Sequence, residues 1–155
     1  QWQEWREQHS LDWHLLEQPE HRALLDLNRD LNHLYRENPA LHAGDADPAG
    51  FAWIDLHNGD QSVFAFLRRS PLHPDKPPLL CVFNCTPVPR EAYWLGVPVA
   101  GTYRKVLDTD AARFGGSGFN QQERVVSQLA PCQGYPCHIR LDLPPLGALF
   151  VELAD

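Results

Sequence analysis

The hydrophobic and polar positions of this chain change period once. Between residues 19 and 38 no Gly or second Pro intervenes, and Leu24, Leu27, Leu31, Leu34 and Tyr35 recur at helical spacing. At 100° per residue they make a stripe roughly 100° wide, with Asp26, Arg29, His33, Arg36 and Glu37 opposite. The pattern predicts a helix that buries one face. Pro19 suits its first position, Glu20 complements the dipole, and Pro39 ends it by pushing Asn38 out of the α region. Ahead of it, residues 10–16 predict a short helical turn capped by Ser10 or Asp12, and residues 1–9 read as a loop.

Beyond the Gly-, Asp- and Pro-rich residues 43–50 the period becomes two. Residues 51–67 form the clearest unit, two alternating runs around Asn58-Gly59, a pair that favours a two-residue hairpin turn. That turn sets His57 opposite Asp60, Ile54 opposite Val63, Trp53 opposite Phe64 and Phe51 opposite Phe66. Ala52, Ile54, Leu56, Val63, Ala65 and Leu67 then share an aliphatic face. Phe51, Trp53, Asp55, His57, Ser62, Phe64 and Phe66 share the other, which must meet a packed element or offer its rings to a ligand. The apolar run 79–83 suits a strand covered on both faces. Further strands are expected at 91–97, 102–107, 124–129, 138–143 and 146–153, with several of the fourteen Pro at their ends. The predicted fold is mainly β, an antiparallel β-sandwich preceded by one long amphipathic helix.

A chain of 155 residues is one domain, or one plus a remnant of another. The formal charge of −7 opposes a nucleic-acid partner, and residues 1–50 carry ten Asp/Glu against four Arg. No apolar stretch reaches the length of a membrane span and no leader pattern opens the chain, so a cytoplasmic protein is expected. The chain contains no Met, which suggests a piece of something longer. Cys81, Cys85, Cys132 and Cys137 lack zinc-ribbon spacing and are expected as buried free thiols.

Chemistry is sparse. Gly115-Gly-Ser-Gly118 lacks the Lys of a phosphate-binding loop and reads as a flexible surface loop. The eight His form no ligating pair, no cofactor motif is present, and Ser10, Asp12 and His14 are too close in sequence to form a triad by spacing alone. Asp55, Asp60, Asp108 and Asp110 read as turn and surface residues rather than as a glycosidase pair. Exposed Trp is the remaining lever, because a flat ring stacks on the apolar face of a pyranose. Among Trp2, Trp5, Trp13, Trp53 and Trp94, Trp53 has the best setting, near Asp55 and His57. Packing under the helix is its competing role.

Nine stretches taken in order carry a resemblance: Gln1-Trp-Gln-Glu-Trp5, Ser10-Leu-Asp-Trp-His-Leu-Leu16, Arg29-Asp-Leu-Asn-His-Leu-Tyr35, Pro39-Ala-Leu-His42, Gly50-Phe-Ala-Trp-Ile54, Asn84-Cys-Thr-Pro-Val-Pro-Arg90, Tyr103-Arg-Lys-Val-Leu-Asp-Thr-Asp110, Gly115-Gly-Ser-Gly118 and Leu143-Pro-Pro-Leu146. Together they resemble the C-terminal end of bacterial 1,4-α-glucan (glycogen) branching enzymes of the α-amylase superfamily. The resemblance implies that residues 1–43 are the last loop and helix of a catalytic (α/β)8 barrel and residues 44–155 a C-terminal β-sandwich. It implies a parent that transfers α-1,4-glucan segments to 6-hydroxyls in glycogen biosynthesis. The barrel motifs bearing that family's catalytic carboxylates are absent here, so this stretch is expected to be inert by itself and to support the barrel. Glu4 and Trp5 match a rim loop of the active-site face, although Arg6-Glu7-Gln8-His9 departs from the family pattern just after them. Trp53 falls where the family carries an aromatic near the sandwich surface. α-Glucan and the rest of the barrel are thus the implied partners. If the barrel is missing, Leu24, Leu27, Leu31 and Leu34 should dock on the sandwich or on a second copy of the chain. A purely structural cap and a free-standing sugar-binding sandwich are the competing readings.

Overall fold

The computed structural model describes residues 7–154. The helix α1 spans Pro19–Glu37, as its stripe predicts, and short 3-10 turns lie at Trp13–Glu17, Pro39–Leu41, Pro48–Gly50 and Ala112–Phe114. The strands are β1 (Phe51–Asn58), β2 (Val63–Arg68), β3 (Leu79–Asn84), β4 (Arg90–Val97), β5 (Thr102–Asp108), β6 (Arg124–Val126), β7 (Cys137–Leu143) and β8 (Gly147–Leu153). All pairings are antiparallel. One sheet has the order β1-β2-β3-β8-β5-β6, and β4 pairs with β7 in a second, two-stranded sheet.

Alternation along the strands builds the core. Val63, Ala65, Leu67, Leu80, Val82, Leu149 and Val151 of the large sheet meet Leu95, Val97, Ile139, Leu141 and Leu143 of the small one, all buried. The opposite side of the large sheet carries Phe66, Leu79, Cys81, Phe83 and Phe150, covered at one end by Ala40 and Leu41. Strand β3 is therefore buried on both faces, as its unbroken apolar run requires. Arg68 clamps the covering segment, its Nε donating to the Ala40 carbonyl at 3.2 Å while its guanidinium pairs with Asp45.

Three sequence expectations need correction. Asp12 precedes the first 3-10 turn, but neither it nor Ser10 caps through its side chain; the Asp12 carbonyl accepts the Leu15 N–H instead. The helix buries none of its residues fully. Leu27, Leu31 and Leu34 are half-buried, while Leu24 and Tyr35 are exposed. It leans on the Ala112–Phe114 turn, where Arg113 meets Asp30 at 2.6 Å, and on the turns at either end of itself.

The third correction is the hairpin register. Phe51 pairs with Arg68, Trp53 with Phe66, Asp55 with Ala65 and Asn58 with Val63, so residues 59–62 form the loop. Asn58 stays in the strand because its side chain is engaged there, Nδ2 donating to Gln61 Oε1 and Tyr93 Oη, each at 3.0 Å. The ladder slips between Trp53 and Asp55 and again between Asp55 and Asn58. Each slip inserts an extra residue into β1 and reverses which side chains face inward. Asp55 consequently turns toward the second sheet, and Leu56 is exposed rather than in the core.

Candidate functional site

The outer face of the large sheet ends at its β1 edge in an aromatic strip. Trp53 stands perpendicular to Phe51 and to Phe66, with centroids 5.0 and 5.9 Å away, and Phe66 continues through Phe83 to Phe64, stacked 4.7 Å from it. The sequence placed Phe51, Trp53, Phe64 and Phe66 on one face, and the corrected register keeps them together. Trp53 is 46% exposed and so is not packed under the helix. Edge-to-face neighbours fix its ring while leaving apolar surface open, the form of a stacking platform.

Asp55 does not join that strip. Its Oδ2 accepts the Tyr93 hydroxyl at 2.5 Å and the Gln133 amide at 2.9 Å, tying β1 to β4 and to the loop before β7. Burial, and next the Asp55 carboxylate, push the Tyr93 phenol well above its ordinary range. The carboxylate is a fastener between sheets. Neither Tyr93 nor Gln133 was singled out in the sequence; they lie 38 and 78 residues from Asp55, and no local pattern links them.

The other candidates resolve one by one. Asp108 is buried, and desolvation raises its carboxyl despite the Asp110 N–H on Oδ1 and the nearby Lys105 charge. It is not a surface residue. Asp110 accepts the Ser117 and Phe119 N–H groups and the Ser117 hydroxyl, so Gly115–Gly118 is a fastened loop rather than a loose one. A Cβ on Gly116 would collide with the Asp110 backbone, which explains a glycine there. Among the cysteines only Cys81 and Cys137 are buried; Cys85 is exposed and Cys132 intermediate, and all four are free. Trp13 is exposed. Glu4, Trp5 and Trp2 lie outside the described residues.

A cavity of about 560 Å³ opens between the C-terminal half of α1 and the β5–β8 side of the sheet. Of its four lining carboxylates, Asp30 pairs with Arg113, Glu152 with Arg104 and Glu37 with Arg36, while Asp75 stands apart. Among the described residues no cluster of His, Cys, Asp and Glu is placed to hold a metal, and no helix is long and apolar enough to cross a membrane.

Two antiparallel sheets packed through one core, with an aromatic strip exposed on the outer side of the larger, define an all-β domain. The chain belongs to the family described as the alpha amylase, C-terminal all-beta domain, whose model matches residues 53–154. It is 46% identical over 152 residues to the 1,4-alpha-glucan branching enzyme GlgB of Thiobacillus denitrificans and 48% identical over 152 residues to that of Cupriavidus necator. In both cases the match covers 98% of this chain and 20% of the relative. The GlgB of Pseudomonas aeruginosa is 46% identical over 154 residues, covering 99% of this chain and 21% of that one. The chain thus spans about a fifth of the length of these curated relatives. An alpha-amylase structure from H. orenii has 18% identity and a TM-score of 0.49, over 84% of this chain and 20% of that one.

Proposed function

We propose that this chain is the C-terminal part of a 1,4-α-glucan branching enzyme, non-catalytic in itself, and that its sandwich holds α-glucan at Trp53. Residues 1–43 would be the last loop and helix of the catalytic barrel, residues 44–155 the sandwich domain. The branching reaction, which moves α-1,4-linked segments to 6-hydroxyls, would belong to the barrel. This part would brace it and raise the local concentration of substrate chains. The exposed stripe of α1 supports that division, since Leu24 and Tyr35 need a cover that the sandwich does not supply. When the barrel is missing, self-association through Leu24, Leu27, Leu31 and Leu34 is the alternative cover. A cytoplasmic location fits an enzyme of stored glucan.

The observation that carries glucan binding is the Trp53 ring, 46% exposed and fixed by Phe51 and Phe66. Native electrophoresis of this chain and of Trp53→Ala, in gels with and without amylose or glycogen, tests it. Glucan should retard the parent chain, and the substitution should release most of that retardation. Equal mobility of both proteins with and without glucan would leave a purely structural cap.

A further inference from the structure

We propose that a groove between the β1–β2 loop and strand β4 is a second glucan-binding site, built on Gln61, Arg90, Glu91 and Trp94. It is separate from the Trp53 surface, and its ligand class rests on the branching-enzyme reading above. The groove is open to solvent and offers about 480 Å³. Trp53 lies on the outer side of the large sheet, whereas Trp94 projects from the two-stranded sheet opposite, so one domain would present two surfaces to a glucan.

Backbone strain converges on this groove. Among the described residues four non-glycine residues have positive φ, and three of them surround it: Ala92 (49°) and Gln133 (50°) in its lining, and Ser62 (49°) beside Gln61. The β4 ladder slips there too, between Arg90 and Tyr93. Left-handed residues and bulges persist where the surroundings enforce them, and they concentrate at functional sites. The enforcing contacts are visible. The Gly96 N–H donates to Gln133 Oε1 at 2.8 Å while the Gln133 amide donates to Asp55, and a Cβ on Gly96 would run into the Cys132 carbonyl.

Those bonds also determine what remains for a ligand. Gln61 accepts the Asn58 amide on Oε1, and its own NH₂ has no partner among the described residues. Arg90 gives one Nη2 bond to the Gln61 carbonyl at 3.2 Å and keeps a buried Nε–H without a partner among the described residues. Glu91 is exposed beside them. The free set is thus an amide donor, guanidinium donors and a carboxylate acceptor, matching hydroxyls that both donate and accept. Arg90 and Glu91 balance in charge, which favours a neutral polyol over an ion. Trp94 supplies the apolar wall: its ring lies flat on the buried His138, 4.4 Å away at 8°, with the Arg140 guanidinium 5.1 Å from the ring centre, and it remains 48% exposed. A rigid aromatic wall next to mixed donors and acceptors is what a pyranose, apolar on its faces and polar around its rim, requires.

Two-dimensional amide and indole NMR of the whole chain titrated with maltoheptaose separates the two surfaces, because Trp53 and Trp94 give distinct indole signals. The Trp94 indole and the Gln61 side-chain amide should shift and saturate together, in the parent chain and equally in Trp53→Ala. Glu91→Gln, a change at an exposed residue, should weaken that response about tenfold or more while sparing the Trp53 signal. A shift at Trp53 with Trp94 and Gln61 unmoved would overturn the groove and leave the Trp53 reading standing. A groove response of equal strength in Glu91→Gln would also overturn it, and silence at both indoles would overturn both readings.

Discussion

Tyr93 donates its hydroxyl proton to Asp55 across the gap between the two sheets, at 2.5 Å. The bond joins the edge strand of the large sheet to the small one, and Asn58 and Gln133 complete the group around it. A half-buried carboxylate whose partners are this specific makes a fastener rather than a reactive acid.

Tyr93→Phe removes the hydroxyl and leaves Asp55 short of its closest donor. A loss of about 1.5–3 kcal/mol is expected in urea unfolding, the usual contribution of a hydrogen bond to a charged group. The parent chain should also lose stability in alkali. A phenol raised in the folded state keeps its proton there while the unfolded chain ionises near pH 10, so stability is full below that pH and falls as pH climbs toward the folded value. In Tyr93→Phe the alkaline fall should be shallower.

Asp108 should respond in the same direction at the acid end. Its carboxyl is raised chiefly by burial, so the folded state holds the proton more tightly than the unfolded chain does. Stability is then greatest below the ordinary aspartate value and is lost as pH rises through the folded one. Asp108→Asn keeps an oxygen for the Asp110 N–H and carries no charge. Thermal melts should find the variant more stable than the parent at about pH 7, with the gap closed at about pH 3. A variant less stable at neutral pH would contradict this.

Thiol labelling should sort the cysteines by burial. The Cys81 thiol is pushed up to about 12 by desolvation, against the pull of Arg68. Cys137 is buried too, burial raises Cys132 more than the Asp55 charge does, and Cys85 is exposed. In native protein a thiol reagent should modify Cys85 first, and Cys81 and Cys137 only after denaturant is added. Rapid native labelling of Cys81 would show that β3 is not sealed on both sides.

What the sequence made legible was periodicity. The stripe of α1, the unbroken run of β3 and the alternation of β7 each identified an element, because burial on one face or two leaves its mark on neighbouring residues. The aromatic strip was legible for the same reason, as Phe51, Trp53, Phe64 and Phe66 keep their common face despite the altered register. The register itself was hidden. Asn58-Gly59 carries a strong local preference, but the bonds that keep Asn58 in β1 come from Gln61 and from Tyr93, 35 residues away. Alternation assigned Asp55 to the face of Trp53 and His57, and the two bulges in β1 turned it to the other. Polar groups such as Gln133 and buried Asp108 leave no periodic trace; their partners lie in other strands and loops.

The position of β8 has a consequence for how the domain comes into being. This strand lies between β3 and β5, near the middle of the six-stranded sheet although it is the last to be synthesised. A nascent chain can pair β1, β2 and β3 early, but β5 and β6 have no neighbour linking them to that group until β8 leaves the ribosome. The sandwich therefore closes after translation of its final strand, and a message cut short before it would release two half-sheets with unsatisfied edges, a substrate for chaperones and proteases rather than a partly working domain.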